Sequence, residues 1–151
     1  MSQLTTAVSL KRHPTYGRVA IIPTAAYAVS STPVISVTMK GSDWFDAFNL
    51  LLTVTTLSGS SNTVDVYIQG LAPDGSTWYD VGKMTQKTAV GTYFYSFRPA
   101  GAWDFTVTTG TATEGQTNTV NMPPQMRIYV TIGGTSTITF QVDMEFFKRG
   151  A

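Results

Sequence analysis

From residue 135 to residue 147 the chain alternates without a break. Ile138, Phe140, Val142, Met144 and Phe146 fall on one phase, and Thr137, Thr139, Gln141, Asp143 and Glu145 on the other. A period of two is that of a β-strand, whose successive side chains leave opposite faces. A helix would scatter these apolar residues around its circumference. The pattern therefore demands a strand with one face in a core and the other toward water, the arrangement of antiparallel sheets.

The same period recurs along the chain. In 47–58, Phe48, Leu50, Leu52 and Val54 share a face. In 63–69, Val64, Val66 and Ile68 alternate with Asp65, Tyr67 and Gln69. Tyr93, Tyr95 and Phe97 line one side of 92–97, and in 102–109 Trp103, Phe105 and Val107 alternate with Asp104, Thr106 and Thr108. In 126–132, Met126, Ile128, Val130 and Ile132 face together. Shorter candidates are 19–22, 34–40 and 78–83. Turn chemistry separates them: Gly59-Ser60-Ser61-Asn62, Pro73-Asp74-Gly75-Ser76, Pro99-Ala100-Gly101 and Gly133-Gly134. Pro73 presets one turn residue and Gly75 supplies a positive φ, so the 63–69 and 78–83 strands should form a hairpin. Ser42 could cap a single helical turn before the strand at 47.

About eight strands in one chain of this length predict an all-β antiparallel sandwich or jelly roll. At 151 residues one domain is expected. Residues 1–32, with Pro14, Gly17 and Pro23, read as an extended N-terminal arm with one short strand, and 33–151 as the β-sandwich domain. Residues 109–124 read as a long polar loop, a feature that is functional or disordered when found in a compact domain.

Composition narrows the function classes. Cysteine is absent, which removes disulfides, thiolate nucleophiles and thiolate metal sites. The net charge of +1 leaves no electrostatic footprint for nucleic acid. No apolar run, Leu50-Leu51-Leu52 included, approaches the length of a membrane span, so none is expected, and the first residues lack the pattern of a secretory signal. Charged residues make up 13%, about half the usual share, with threonine in their place. Such a surface suits a permanent assembly; it equally suits a neutral, threonine-rich domain with no partner.

Chemistry is sparse. His13 is the only histidine, and no Gly-rich phosphate loop is present. Asp143 and Glu145 share the face opposite the apolar one, and Asp74 already has a structural role in a turn. Asp43 with Asp46, or Asp74 with Asp80, could lend oxygens to Ca²⁺, but no spacing matches a calcium loop. No enzyme activity, metal or cofactor is expected. The aromatics divide. Trp103 and Phe97 suit the core, whereas Tyr67, Tyr79 and Tyr129 lie on the polar phase of their strands and should be exposed. Phe146 and Phe147 must point to opposite faces, so one of them meets solvent or a neighbour.

The stretch from Thr63 through Tyr67-Ile68-Gln69-Gly70 to Asp74-Gly75-Ser76-Thr77-Trp78-Tyr79-Asp80-Val81 resembles a motif of small structural proteins of tailed bacteriophages, the head decoration (cement) proteins and related virion proteins. The Asp-Gly-Ser-Thr-Trp step is also similar to galactose-binding-like jelly rolls, including carbohydrate-binding modules. The phage resemblance implies a structural protein, made in the host cytoplasm and placed on the capsid surface of the virion. It would bridge major capsid subunits, commonly as a homotrimer. Under it, Lys11, Arg12, His13 and Tyr16 of the arm, Tyr67, Tyr79, and Phe147, Lys148 and Arg149 of the tail are the expected contact residues. The alternatives are a carbohydrate-binding module, with glycan as partner, and a tail, neck or fibre component.

Overall fold

The computed structural model describes residues 3–9, 16–42, 45–97 and 122–147. The described residues form nine strands: β1 (Gln3–Ser9), β2 (Tyr16–Ala28), β3 (Val34–Lys40), β4 (Ala47–Leu57), β5 (Thr63–Leu71), β6 (Trp78–Lys83), β7 (Gly91–Phe97), β8 (Gln125–Gly133) and β9 (Thr137–Phe147). They make a five-stranded sheet in the order β1-β3-β8-β5-β6 and a four-stranded sheet in the order β2-β9-β4-β7. The two pack face to face as an all-β sandwich.

The alternation read from the sequence builds the core. Phe48, Leu50, Leu52 and Val54 of β4, with Ile138, Phe140, Val142, Met144 and Phe146 of β9, are all buried. Opposite them lie Ile35, Val37 and Met39 of β3, Val64, Val66 and Ile68 of β5, and the even-numbered apolar residues 126–132 of β8. Rings interlock across this layer: Tyr27 and Phe140 lie 4.8 Å apart, Phe45 and Phe146 5.3 Å. Burial of this kind is the main force holding such a domain together.

The strands pair in a nested series. β5 pairs with β6, β4 with β7, β3 with β8 and β2 with β9, each antiparallel. Pairs β4–β9 and β5–β8 join these ribbons into sheets. β1 stands outside the series and runs parallel to β3.

This corrects the reading of residues 1–32 as an arm with one short strand. The segment supplies two strands, one to the edge of each sheet. β2 alone is 13 residues long. Pro23 has no N–H to give a ladder, and the β2–β9 register shifts between Ala20 and Ile22 and again between Ile22 and Ala25. An edge strand with bulges is where a sheet tolerates proline, and those shifts also break the alternation that would have marked the strand.

Ser42 begins a tight 3₁₀ turn, as expected, but its hydroxyl is engaged elsewhere; residues 43 and 44 lie outside the described residues. Phe45 N–H donates to the Ser42 carbonyl at 3.0 Å, while the Ser42 hydroxyl donates instead to the Pro123 carbonyl. The expected strand at 102–109 and the loop to residue 121 lie outside the described residues, as do Trp44 and Trp103.

Candidate interaction surface

Among the described residues, the outer face of the five-stranded sheet carries the most connected polar network. Strand register lays two rows across it. Ser36, Tyr129, Tyr67 and Lys83 stand side by side on β3, β8, β5 and β6, and Thr38, Arg127, Gln69 and Asp80 form the next row. By sequence alternation this should be a solvated face. Yet Gln69 is fully buried, and Asp80, Asp65 and Lys83 are less than a tenth exposed.

Hydrogen bonds explain how burial is tolerated. Arg127 Nε donates to Gln69 Oε1 at 2.6 Å, and Gln69 Nε2 donates to Asp80 Oδ1 at 2.8 Å. The amide thus relays a cation to a carboxylate, with both of its ends satisfied. Nearby, Lys83 Nζ meets Asp65 Oδ1 at 3.1 Å, and Gln86 Nε2 donates to Asp65 Oδ2 at 2.8 Å. Gln86 reaches this position because the chain continues along β5 past the end of β6. There Met84 N–H donates to the Val66 carbonyl, and Lys87 exchanges both backbone bonds with Val64. Buried polar groups are stable only when partnered in this way.

Aromatic rings wall the network. The Arg127 guanidinium lies 4.4 Å from the Trp78 ring and 4.8 Å from that of Tyr129. Tyr67 and Tyr129 meet edge to face at 6.2 Å, and Lys83 Nζ sits 4.9 Å above the Tyr67 ring. Such contacts fix the long cationic chains. Burial pulls the Arg127 pKa down, against attraction from Tyr129 and Asp80. Burial alone would also lower that of Lys83, but its bonds and attraction to Asp65 and Tyr67 outweigh this and raise it. The two basic side chains and the acidic side chains of Asp65 and Asp80 thus share one face, linked through Gln69 and Gln86.

The opposite surface differs. On β7, Phe94 is 64% exposed, and register sets it beside Leu51, which in turn lies opposite Asp143. Asn49, Leu51, Phe94, Asp143 and Glu145 line a shallow depression on the outside of the four-stranded sheet. Phe94 beside Leu51, rimmed by acids, makes an exposed apolar spot on this face.

Of the residues expected to make contacts, Tyr67 faces outward, half-buried within the network. Tyr79 does not face outward: it is half-buried against the core, and burial raises its pKa. The cause is Gly70, its partner across the ladder. A Cβ there would come within 2.6 Å of the Tyr79 ring and 2.8 Å of Pro123, so the ring occupies the space that glycine leaves. Phe147 is half-buried on the outer face, while Phe146 is fully in the core, the split that their adjacency requires. Tyr16 pairs with Phe147 along the β2–β9 ladder; its side chain, with Lys11, Arg12, His13, Lys148 and Arg149, lies outside the described residues. Sequence reasoning missed Asp65, Gln69, Asp80, Lys83, Gln86 and Arg127. The available signal was a shared phase: Asp65, Tyr67 and Gln69 alternate on one strand as Arg127 and Tyr129 do on another.

Comparison of the chain with family models, with curated proteins and with solved structures finds no match.

Proposed function

We propose that this chain is a structural virion protein that decorates a phage capsid and stabilises it by bridging neighbouring capsid subunits. The nested antiparallel pairing of β2 through β9 carries the reading. Four ribbons, each enclosed by the next and divided alternately between two sheets, support reading the sandwich as a jelly roll. That architecture is shared by viral capsid and lectin domains. The step from fold to role is analogy; the phage-like motif at 63–81 and the low surface charge support it. So does the self-neutralised outer face, which spends its cations internally and leaves a rigid surface. In this reading the protein performs no catalysis. Its contribution is many modest contacts repeated by symmetry, each binding the assembled shell and not the free subunits.

The test is the protein content of density-purified particles from the source phage, measured by quantitative mass spectrometry. The expected result is a fixed ratio to the major capsid protein on the order of one copy per few capsid subunits, as symmetry-repeated binding requires. Absence from particles overturns the proposal. A handful of copies, with antibody label at one vertex or along the tail, assigns it to the neck, tail or fibre instead.

The second reading, a carbohydrate-binding module, is favoured by Trp78, Tyr67 and Tyr129 on one sheet face. Arg127 covers one side of Trp78 at 4.4 Å, which counts against sugar stacking on that side. A glycan array decides: saturable binding lost in Trp78→Ala would support the module.

A further inference from the structure

β1 is unlike every other strand of the sandwich. It is the one strand outside the nested series, and it forms the one parallel pair among the described strands, matching Gln3–Ser9 to Val34–Lys40 over seven positions. Its described side chains bury little. Leu4 pairs with Ile35 and Thr6 with Val37, both core-facing residues, yet Leu4 is 43% exposed and Thr6 is exposed as well. Ala7, opposite Thr38, is also exposed. β1 therefore overhangs the edge of the core, and its described side chains add little apolar burial to the ladder that holds it.

From this we infer that β1 is an exchangeable strand: the β3 edge of one copy accepts β1 from a second copy of the same chain. The acceptor edge offers the same backbone groups and the same register in either case, so exchange sacrifices no ladder hydrogen bond. What favours the intramolecular pairing is proximity alone. Six residues, 10–15, join Ser9 to Tyr16, and a short link of this kind provides an effective concentration on the order of millimolar. Exchange is therefore rare in dilute solution and extensive wherever copies are crowded to that density. The inference goes beyond the capsid reading and does not depend on it, because donor and acceptor both belong to this chain.

The chain has no cysteine, so introduced thiols report cleanly. Full-length Ala7→Cys and full-length Thr38→Cys, which occupy directly paired positions, are mixed, equilibrated and oxidised. A disulfide between the two variants, in excess over the Ala7→Cys and Thr38→Cys homodimers that collision of exposed thiols produces, reports β1 of one copy lying on β3 of the other. We expect that product to be scarce at about 10 µM chain and to rise by about tenfold or more at about 1 mM, as the effective concentration dictates. The double variant Ala7→Cys/Thr38→Cys should close within one chain at low concentration. If the double variant closes but the mixed single variants never join at any concentration, β1 is fixed to its own domain and the inference fails. If the double variant does not close either, β1 does not pair with β3 and the inference fails at its premise. Because the readout needs no particle, its failure is distinguishable from failure of the virion proposal.

Discussion

At Asp65 and Lys83 opposite charges stand 3.1 Å apart, with side chains only 12% and 11% exposed. Removing one partner strands the other in a poorly solvated site. Asp65→Ala should therefore destabilise the fold by about 3 kcal/mol, read as a fall in the urea midpoint. Replacing both, as Asp65→Leu with Lys83→Met, should recover most of the loss, since a buried pair is worth little more than apolar residues of its size. The pair also sets a pH limit. A lysine whose folded pKa is raised contributes stability that is complete below its ordinary value near 10.5 and lost only as pH climbs through the higher folded value. The stability difference between wild type and Asp65→Ala/Lys83→Met should thus stay constant from neutral pH to about pH 10 and shift against wild type only as pH climbs beyond about 10.5. Asp74 shows the reverse sign. Its carboxylate accepts the Thr77 hydroxyl together with the backbone N–H groups of Thr77 at 2.8 Å and Ser76 at 2.9 Å, which hold its pKa at about 2 against an ordinary 3.8. Its contribution is present above the ordinary value and lost as pH falls through the folded one. Carboxyl-carbon NMR should show Asp74 titrating with a midpoint near 2, and Thr77→Val, which loses the hydroxyl as the largest cause but keeps both backbone bonds, should raise that midpoint part of the way toward 3.8.

Among the elements, the β5–β6 hairpin shows how a small residue sets a large one. Gly70 leaves room for Tyr79 and Pro123, so Gly70→Ala should cost about 1–3 kcal/mol through overpacking, measured by denaturant unfolding. Gly70→Ala combined with Tyr79→Leu should cost less than Gly70→Ala does, because the clash is relieved. This hairpin, with its Pro73-Asp74-Gly75 turn, was legible from the sequence because its chemistry is local: Gly75 takes a φ of 74° and its N–H donates to the Ala72 carbonyl. β9 was legible because both of its faces hold strict phase. β2 was not, since Ile21 and Ile22 are consecutive buried residues and the bulges around Pro23 reset the phase. β1 escaped notice because Leu4 and Val8 are too few apolar residues to mark a strand. The inward turn of Tyr79 depends on a register shift between Ile68 and Gln69 against β6, which no alternation rule contains. The network around Asp65 and Gln69 was hidden for another reason. A period of two reports which residues share a face, but not whether long neighbours such as Arg127 and Trp78 fold down and seal that face from water.

For the whole molecule, the property to measure is association. Light scattering of the purified protein should give the mass of a trimer under the decoration reading; a monomer would confine assembly to the particle surface. Phe94, exposed beside Leu51 on the four-stranded sheet, is the candidate anchor there. Phe94→Asp should reduce particle occupancy by tenfold or more while leaving the unfolding midpoint nearly unchanged, as removal of a central apolar anchor does. Under the same reading Lys11→Ala/Arg12→Ala/His13→Ala, between β1 and β2, should weaken occupancy as well, and unchanged occupancy would remove those residues from the contact. The nested pairing has one more effect, on biosynthesis. The β5–β6 hairpin at the centre of the series can close while the ribosome is still at work, but β2 has no neighbour until β9 is made, because β9 lies between β2 and β4. A product truncated before Thr137 therefore lacks the middle of one sheet and exposes the whole apolar layer beneath it. Premature termination yields chains that quality-control proteases can recognise, so the fold itself inspects each copy for length before it can close.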